Sequence, residues 1–153
     1  GQTASLAPAD KRLYALRDVT STVESVPLIA SSVMSKKLAE GSNAVLLDVK
    51  CGDGAFMKTL DQSRALARAM VGIGRLGGIP TEAFVTDMDA PLGNTIGNTL
   101  EIVECLDTLK GSGSPELKSV VTRLAPRSSI YMCAIRMKAH RPTQSYSRWC
   151  RRA

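Results

Sequence analysis

The chain reads as an α/β protein, a partial parallel sheet with flanking helices. Three observations predict this. Two short aliphatic runs, "NAVLLDVK" (43–50) and "TEAFVTDM" (81–88), suit strands. Between them, "DQSRALARAMVGIGRLG" (61–77) sets Leu66, Met70, Val71 and Ile73 at helical spacing. Glycine or proline turns follow both strand candidates. Strand, helix, strand at this rhythm is a βαβ unit, which implies parallel pairing and a right-handed crossover. Two strands do not complete such a sheet, so it is expected to be open on its N-terminal side.

Taken in order, residues 1–15 predict a loop leading to a short helical piece around "PADKRLY". "LRDVTSTV" alternates β-branched residues and predicts an extended segment. A helix follows over 26–40, with Pro27 suited to its first turn and Gly41 to its stop. The 43–50 strand is apolar enough to be buried on both faces. In the glycine turn "CGDGAF" (51–56), Gly52 and Gly54 suit positive φ at a tight corner. The 61–77 helix takes Asp61 as its N-cap and Gly77 or Gly78 as its stop. After the 81–88 strand and the "DAPLGN" turn, "TIGNTLEIVECLDTLKG" (95–111) predicts a third helix. In parallel sheets ligands gather beyond the strands' carboxyl ends, which singles out "CGDGAF" and "DMDAPLGN".

Composition narrows the function classes. The 153 residues suffice for one core-bearing domain, and with 4% aromatics that core must be aliphatic. No apolar run reaches membrane-spanning length, and no signal peptide opens the sequence. The cysteines at 51, 105, 133 and 150 form neither a CxxC pair nor a zinc spacing, and read as free thiols in a reducing cytoplasm. His140 has no visible catalytic partner, and neither dinucleotide nor P-loop fingerprints occur.

The net charge of +6 is unevenly spread. Residues 126–153 hold seven Lys and Arg and no acid, so the tail carries +7 and residues 1–125 carry −1. This segment reads as a basic tail, poorly ordered and foreign to the rest, such as a frame change would produce. A genuine basic arm is the alternative, making the chain a nucleic-acid-binding protein without catalytic activity. Charge confined to the tail weighs against nucleic acid as partner of the body.

One pair of residues does not fit its helix. Ser32 and Lys36 lie one turn apart in the 26–40 segment, bracketed by Leu28, Ile29, Val33 and Ala39. A lysine in an apolar sector needs a partner or a route to water. Either Lys36 snorkels while Ser32 bonds back to the Leu28 carbonyl, or the two are aimed at a ligand.

"ALRDVTSTVESVPLIASSVMSKKLAEG", "LDVKCGDGAFMKT" and "TDMDAPLGNTIGNTLEIVE" together resemble the thymidine phosphorylase and pyrimidine-nucleoside phosphorylase family. The resemblance covers residues 1 to about 125, a partial α/β domain within the family's large domain. It implies a pentosyltransferase that cleaves thymidine or uridine with inorganic phosphate to free base and pentose 1-phosphate, needing no organic cofactor. It also implies that Arg17, Ser32 and Lys36 bind the pyrimidine base and that Val23, Ile29 and Phe56 line its apolar wall. A monovalent cation is implied at the main-chain oxygens of Leu92 and Thr95 and the carboxylate of Glu104. The family's "KHSTGG"-type phosphate loop lies upstream of the matched segment, so the residues here represent the base-binding half and are expected to be inactive alone. Full-length members are expected to be homodimers, cytoplasmic and without membrane or nucleic-acid contacts.

Overall fold

The computed structural model describes residues 6–139, with side chains to residue 128. The chain divides into two units, 1–89 and 90–153. The first contains α1 (Pro8–Val19), α2 (Val26–Ala39), β1 (Val45–Cys51), α3 (Leu60–Leu76) and β2 (Thr81–Asp87). The second contains α4 (Asn98–Leu109) and α5 (Pro115–Ala139).

β1 and β2 pair in parallel, in register from Val45↔Thr81 to Cys51↔Asp87, with α3 as the crossover between them. α3 packs on both strands, and α2 packs on α3. The core combines Val45, Leu47 and Val49 of β1, Ala30 and Met34 of α2, Leu66, Ala67 and Met70 of α3, and Met57 from the β1–α3 loop. These aliphatic and thioether side chains are what a chain poor in aromatics has available to exclude water.

β1 is not buried on both faces. Val45, Leu47 and Val49 are buried, whereas Asp48 between them is exposed. The helices cover only the odd-numbered face. On the other face Lys50 pairs with Asp48 at 2.7 Å, and the Thr86 hydroxyl accepts from Lys50 and donates to Asp48. A continuous apolar run cannot by itself distinguish a strand covered twice from one covered once.

α1 also departs from expectation. The residues "LRDV", expected to be extended, complete α1, which ends with Thr20 as its C-cap. Ser21 then takes a positive φ of 54° and turns the chain towards α2. The β-branched alternation was too short to oppose a helix whose side chain at Arg17 is held by tertiary contacts.

α2 occupies its expected span, with Pro27 in the first turn and Gly41 at φ +68° beyond its end. α3 begins on Thr59 rather than Asp61. The Thr59 hydroxyl accepts from Gln62 N, and Gln62 Oε1 accepts from Thr59 N, a reciprocal capping box that satisfies amides at the helix start. Its buried stripe is Ser63, Leu66, Ala67, Met70 and Gly74, the i, i+3, i+4 pattern of a one-sided helix.

In the second unit α4 starts at Asn98, later than the expected 95, because Glu104 takes the amides of Asn94 and Thr95 into a loop. Leu100, Ile102, Val103, Leu106 and Leu109 of α4 are exposed. α5 continues through Pro126 to Ala139, so the segment set apart by its composition begins as helix. Pro126 has no amide to donate within it. Residues 140–153, including His140 and Cys150, lie outside the described residues, as does the Cys133 side chain. Cys51 and Cys105 are free thiols. Among the described residues no helix is long and apolar enough to cross a membrane.

Candidate functional site

Four polar side chains from α1 and α2 converge in the first unit. Asp10 and Arg17 come from α1, two turns apart, and both are buried. Ser32 and Lys36 come from α2, one turn apart. α2 turns its Ala30–Met34 stripe into the core, so the Ser32–Lys36 stripe, roughly 150° round the helix, lies on the side away from it, where Lys36 meets Asp10 of α1.

Lys36 does not snorkel. Its Nζ donates to Asp10 Oδ2 at 2.7 Å and to Ser32 Oγ at 3.0 Å. An ammonium has three protons, and no partner for the third occurs among the described residues. Nor does Ser32 bond to the Leu28 carbonyl, which accepts instead from Ser31 Oγ at 3.1 Å and from Arg17 Nη1 at 3.4 Å.

Arg17 donates its Nη2 to the Val23 carbonyl, so its fork gathers two main-chain oxygens from the approach and first turn of α2. The guanidinium carbon lies 5.3 Å from the centroid of the Tyr14 ring, within cation–π range. Arg17 is 5% exposed, and its buried Nε has no hydrogen-bond partner among the described residues. Such an orphan donor is uncommon in a folded interior.

Burial raises the Asp10 pKa, but hydrogen bonds from Lys36 and Ser32, with the charges of Lys36 and Arg17, outweigh it and hold the carboxyl below its ordinary range. A carboxyl whose folded pKa is depressed stabilises the fold above its unfolded pKa. That contribution is lost as pH falls through the folded value. At neutral pH, Asp10→Ala is therefore expected to cost about 2–4 kcal/mol, since it strands the Lys36 charge. Urea melts should show the gap between wild type and variant shrinking as pH falls through the carboxylate range. A gap independent of pH would contradict the assignment.

The remaining expected site residues are placed as follows. Val23 is half-buried and lends its carbonyl to Arg17. Ile29 packs against the core. Phe56 is 53% exposed on the loop beyond β1, so its side chain is not a core residue. That loop is braced by Asp89, whose Oδ1 accepts from Asp53 N at 2.8 Å, while Gly54 N donates to the Met88 carbonyl at 2.9 Å.

In the second unit Glu104 accepts from Asn94 N at 2.7 Å, Thr95 N at 3.2 Å and Thr95 Oγ1 at 2.7 Å. The Thr95 hydroxyl and these amides hold its pKa below the ordinary range against some desolvation. Both carboxylate oxygens are thus engaged in ordering the Asn94–Thr95 loop. The residue types fit a hard cation, whereas this hydrogen-bonded arrangement is that of a loop clamp.

Asp10 is the residue that sequence reasoning missed. In "PADKRLY" it looked like an ordinary acid in a helix's first turn, where the dipole favours one. The available signal was indirect: a lysine in an apolar sector demands a counter-charge, and Asp10 is an acid on the neighbouring helix.

The chain matches the model of the glycosyl transferase family, a/b domain, over residues 1–137, past the compositional break at Pro126. Over 124 residues it is 60% identical to a Staphylococcus epidermidis protein named pyrimidine-nucleoside phosphorylase, a stretch that is 81% of this chain and 29% of that relative. A Staphylococcus aureus protein of the same name, from strain USA300, matches to the same extent. The matched stretch is thus less than a third of either relative. Neither match supports a basic-tailed nucleic-acid-binding protein.

Proposed function

This chain belongs to the glycosyl transferase family, a/b domain, and on that premise we propose that it carries the pyrimidine-base half of a pyrimidine-nucleoside phosphorylase site. The reaction converts thymidine or uridine and inorganic phosphate to the free base and pentose 1-phosphate. A phosphate oxygen forms the new bond to C1′ while the C1′–N1 bond breaks. The bonding pair leaves with the base, and the base nitrogen then takes up a proton.

The observation that carries the reading is the Asp10–Lys36–Ser32 array beside buried Arg17. As the glycosidic bond breaks, negative charge spreads over N1 and the carbonyl oxygens of the departing base. The third N–H of Lys36 and the unused N–H groups of Arg17 are donors that strengthen with that charge, so they lower the barrier more than they stabilise the bound nucleoside. Asp10 balances Lys36 without consuming its third proton. Phe56, on the loop at the carboxyl end of β1, supplies an apolar surface suited to a base face. Val23, half-buried, and Ile29 are the other apolar residues assigned to the base in this reading.

The test has two parts. Titration of the 153-residue chain with uracil or thymine should show binding that Lys36→Ala weakens by about 1.5–3 kcal/mol, the range for a hydrogen bond to a charged group. Phosphorolysis of thymidine and uridine by the chain alone should be negligible with or without phosphate. Absence of base binding would sink the reading. Phosphate-dependent turnover by wild type would instead show that these residues suffice to hold the second substrate.

A monovalent cation at the oxygens of Leu92, Thr95 and Glu104 belongs to the same reading, supported by the oxygen-rich loop that Glu104 gathers. It is checked by thermal melts in potassium against a bulky organic cation at equal ionic strength. A shift in wild type that is absent in Glu104→Gln supports the site, and equal melts contradict it.

A further inference from the structure

Asp53 is the only aspartate in the sequence followed by glycine, and no asparagine is. Joining an aspartate's carboxyl carbon to the next amide nitrogen closes a five-membered ring, and a glycine there leaves that nitrogen unobstructed. The fold requires this glycine, since a Cβ at Gly54 would stand 2.7 Å from the Met88 carbonyl oxygen. Asp53 is exposed on the loop after β1, and its hydrogen bonds run through its main chain. Its amide donates to Asp89 Oδ1 at 2.8 Å, and its carbonyl accepts from Lys58 Nζ at 2.8 Å. Gly54 N donates to the Met88 carbonyl at 2.9 Å. These contacts act in opposite directions on ring closure. The Met88 carbonyl holds the proton that Gly54 N must lose, and Asp89 fixes the other side of Asp53, so closure needs the loop to open locally. Lys58 does the reverse. A deprotonated amide places its charge on its carbonyl oxygen, and the ammonium already donates to that oxygen. Lys58 belongs to the same loop, so this contact is kept when the loop lifts from Met88 and Asp89.

We propose that the Asp53–Gly54 peptide is a self-modification site that converts to isoaspartate, with Lys58 promoting ring closure and the Met88 and Asp89 contacts restraining it. The Gly54 nitrogen loses its proton and forms a bond to Asp53 Cγ. A carboxyl C–O bond breaks, and its oxygen leaves as water with the amide proton and a proton from solvent. Water then adds to the resulting succinimide. Opening at the main-chain carbonyl breaks its bond to nitrogen and leaves a free carboxylate there, while the chain now runs through Cβ and Cγ. One water leaves and one returns, so no co-reactant is needed. The backbone grows by a carbon between Asp53 and Gly54, which shifts the Gly54–Met88 bond and the loop that carries Phe56. The proposal stands apart from the base-binding reading.

Incubation of the 153-residue chain at neutral pH, followed by peptide mapping that separates aspartate from isoaspartate, tests this. Isoaspartate should accumulate at Asp53 ahead of every other aspartate, and faster in urea than in the folded chain. Asp89→Ala removes one restraining hydrogen bond and should speed the folded-state reaction about three- to tenfold. Asp89→Asn keeps an acceptor oxygen and should stay close to wild type, which guards against a variant that merely unfolds. Equal acceleration in both variants would overturn the restraint, as would an Asp89→Ala chain that ages no faster than wild type. Lys58→Met should slow the reaction in the folded chain and leave the rate in urea unchanged, because only the fold holds the ammonium at the Asp53 carbonyl. A Lys58→Met chain that ages like wild type when folded would overturn the promoting role. Absence of isoaspartate at Asp53 in the Asp89→Ala chain would overturn the site itself.

Discussion

Valine at Gly52 is expected to destabilise the first unit by about 3–5 kcal/mol, through two effects that coincide at one atom. Gly52 has φ +128°, a conformation that a β-branched residue scarcely adopts. A Cβ there would also lie 2.9 Å from Asp89 Cγ and 3.0 Å from Asp89 N. Asp89 is not free to yield, because its carboxylate holds the Asp53 amide and its own amide donates to Asp87 Oδ1 at 3.0 Å. Displacing it would loosen both strand ends and the loop that presents Phe56. Gly54, by contrast, is needed less for its dihedrals than for room: a Cβ would stand 2.7 Å from the Met88 carbonyl oxygen. Urea melts of Gly52→Val, Gly52→Ala and Gly52→Ala with Asp89→Ala separate the two contributions. The double variant should recover the steric part and leave the dihedral cost. A Gly52→Val protein as stable as wild type would refute the account.

Arg17→Lys is expected to weaken uracil binding by about a hundredfold and to destabilise the α1–α2 corner by about 2–3 kcal/mol, although charge is conserved. Arg17 spans two carbonyls, those of Val23 and Leu28, from a buried position, with its guanidinium carbon over the Tyr14 ring. A lysine has one nitrogen where the guanidinium has three, and cannot reproduce the fork. At least one carbonyl would lose its donor, and the segment leading into α2 would relax. The stability change is read by urea melts without any ligand, so it tests the clamp independently of the proposed function. Retained stability in the lysine variant would show that charge alone suffices. Retained affinity with lowered stability would remove Arg17 from the base site and keep it as a structural clamp.

Sequence and fold agree best where the signals are local. α2 and α3 could be read because their apolar periodicity, Pro27, Gly41 and the glycines after Leu76 act within a few residues. The parallel pairing of β1 and β2 followed from a helical crossover lying between two short apolar runs. Even the cap of α3 was written in the text: Thr59-x-x-Gln62 spells a capping box, and Asp61 distracted from it. "LRDV" was misread because β-branched alternation is a weak preference that neighbouring helix and tertiary contacts override.

Residue types and their spacing along the chain therefore settled the class of fold, the main helices and strands, and the suspicion that Ser32 and Lys36 were out of place. They could not settle which α2 stripe enters the core, since Leu28, Ile29 and Val33 are as apolar as Ala30 and Met34. They could not show that the helices cover only one face of β1, because coverage depends on neighbours remote in sequence. Nor could they pair Lys36 with Asp10, a contact that exists only once the turn after α1 brings the two helices side by side. Periodicity acts over a few bonds and is legible in one dimension. The counter-ion of a half-buried lysine is set by distances through space, which is why the Asp10–Lys36–Ser32 contacts appear only in the folded chain.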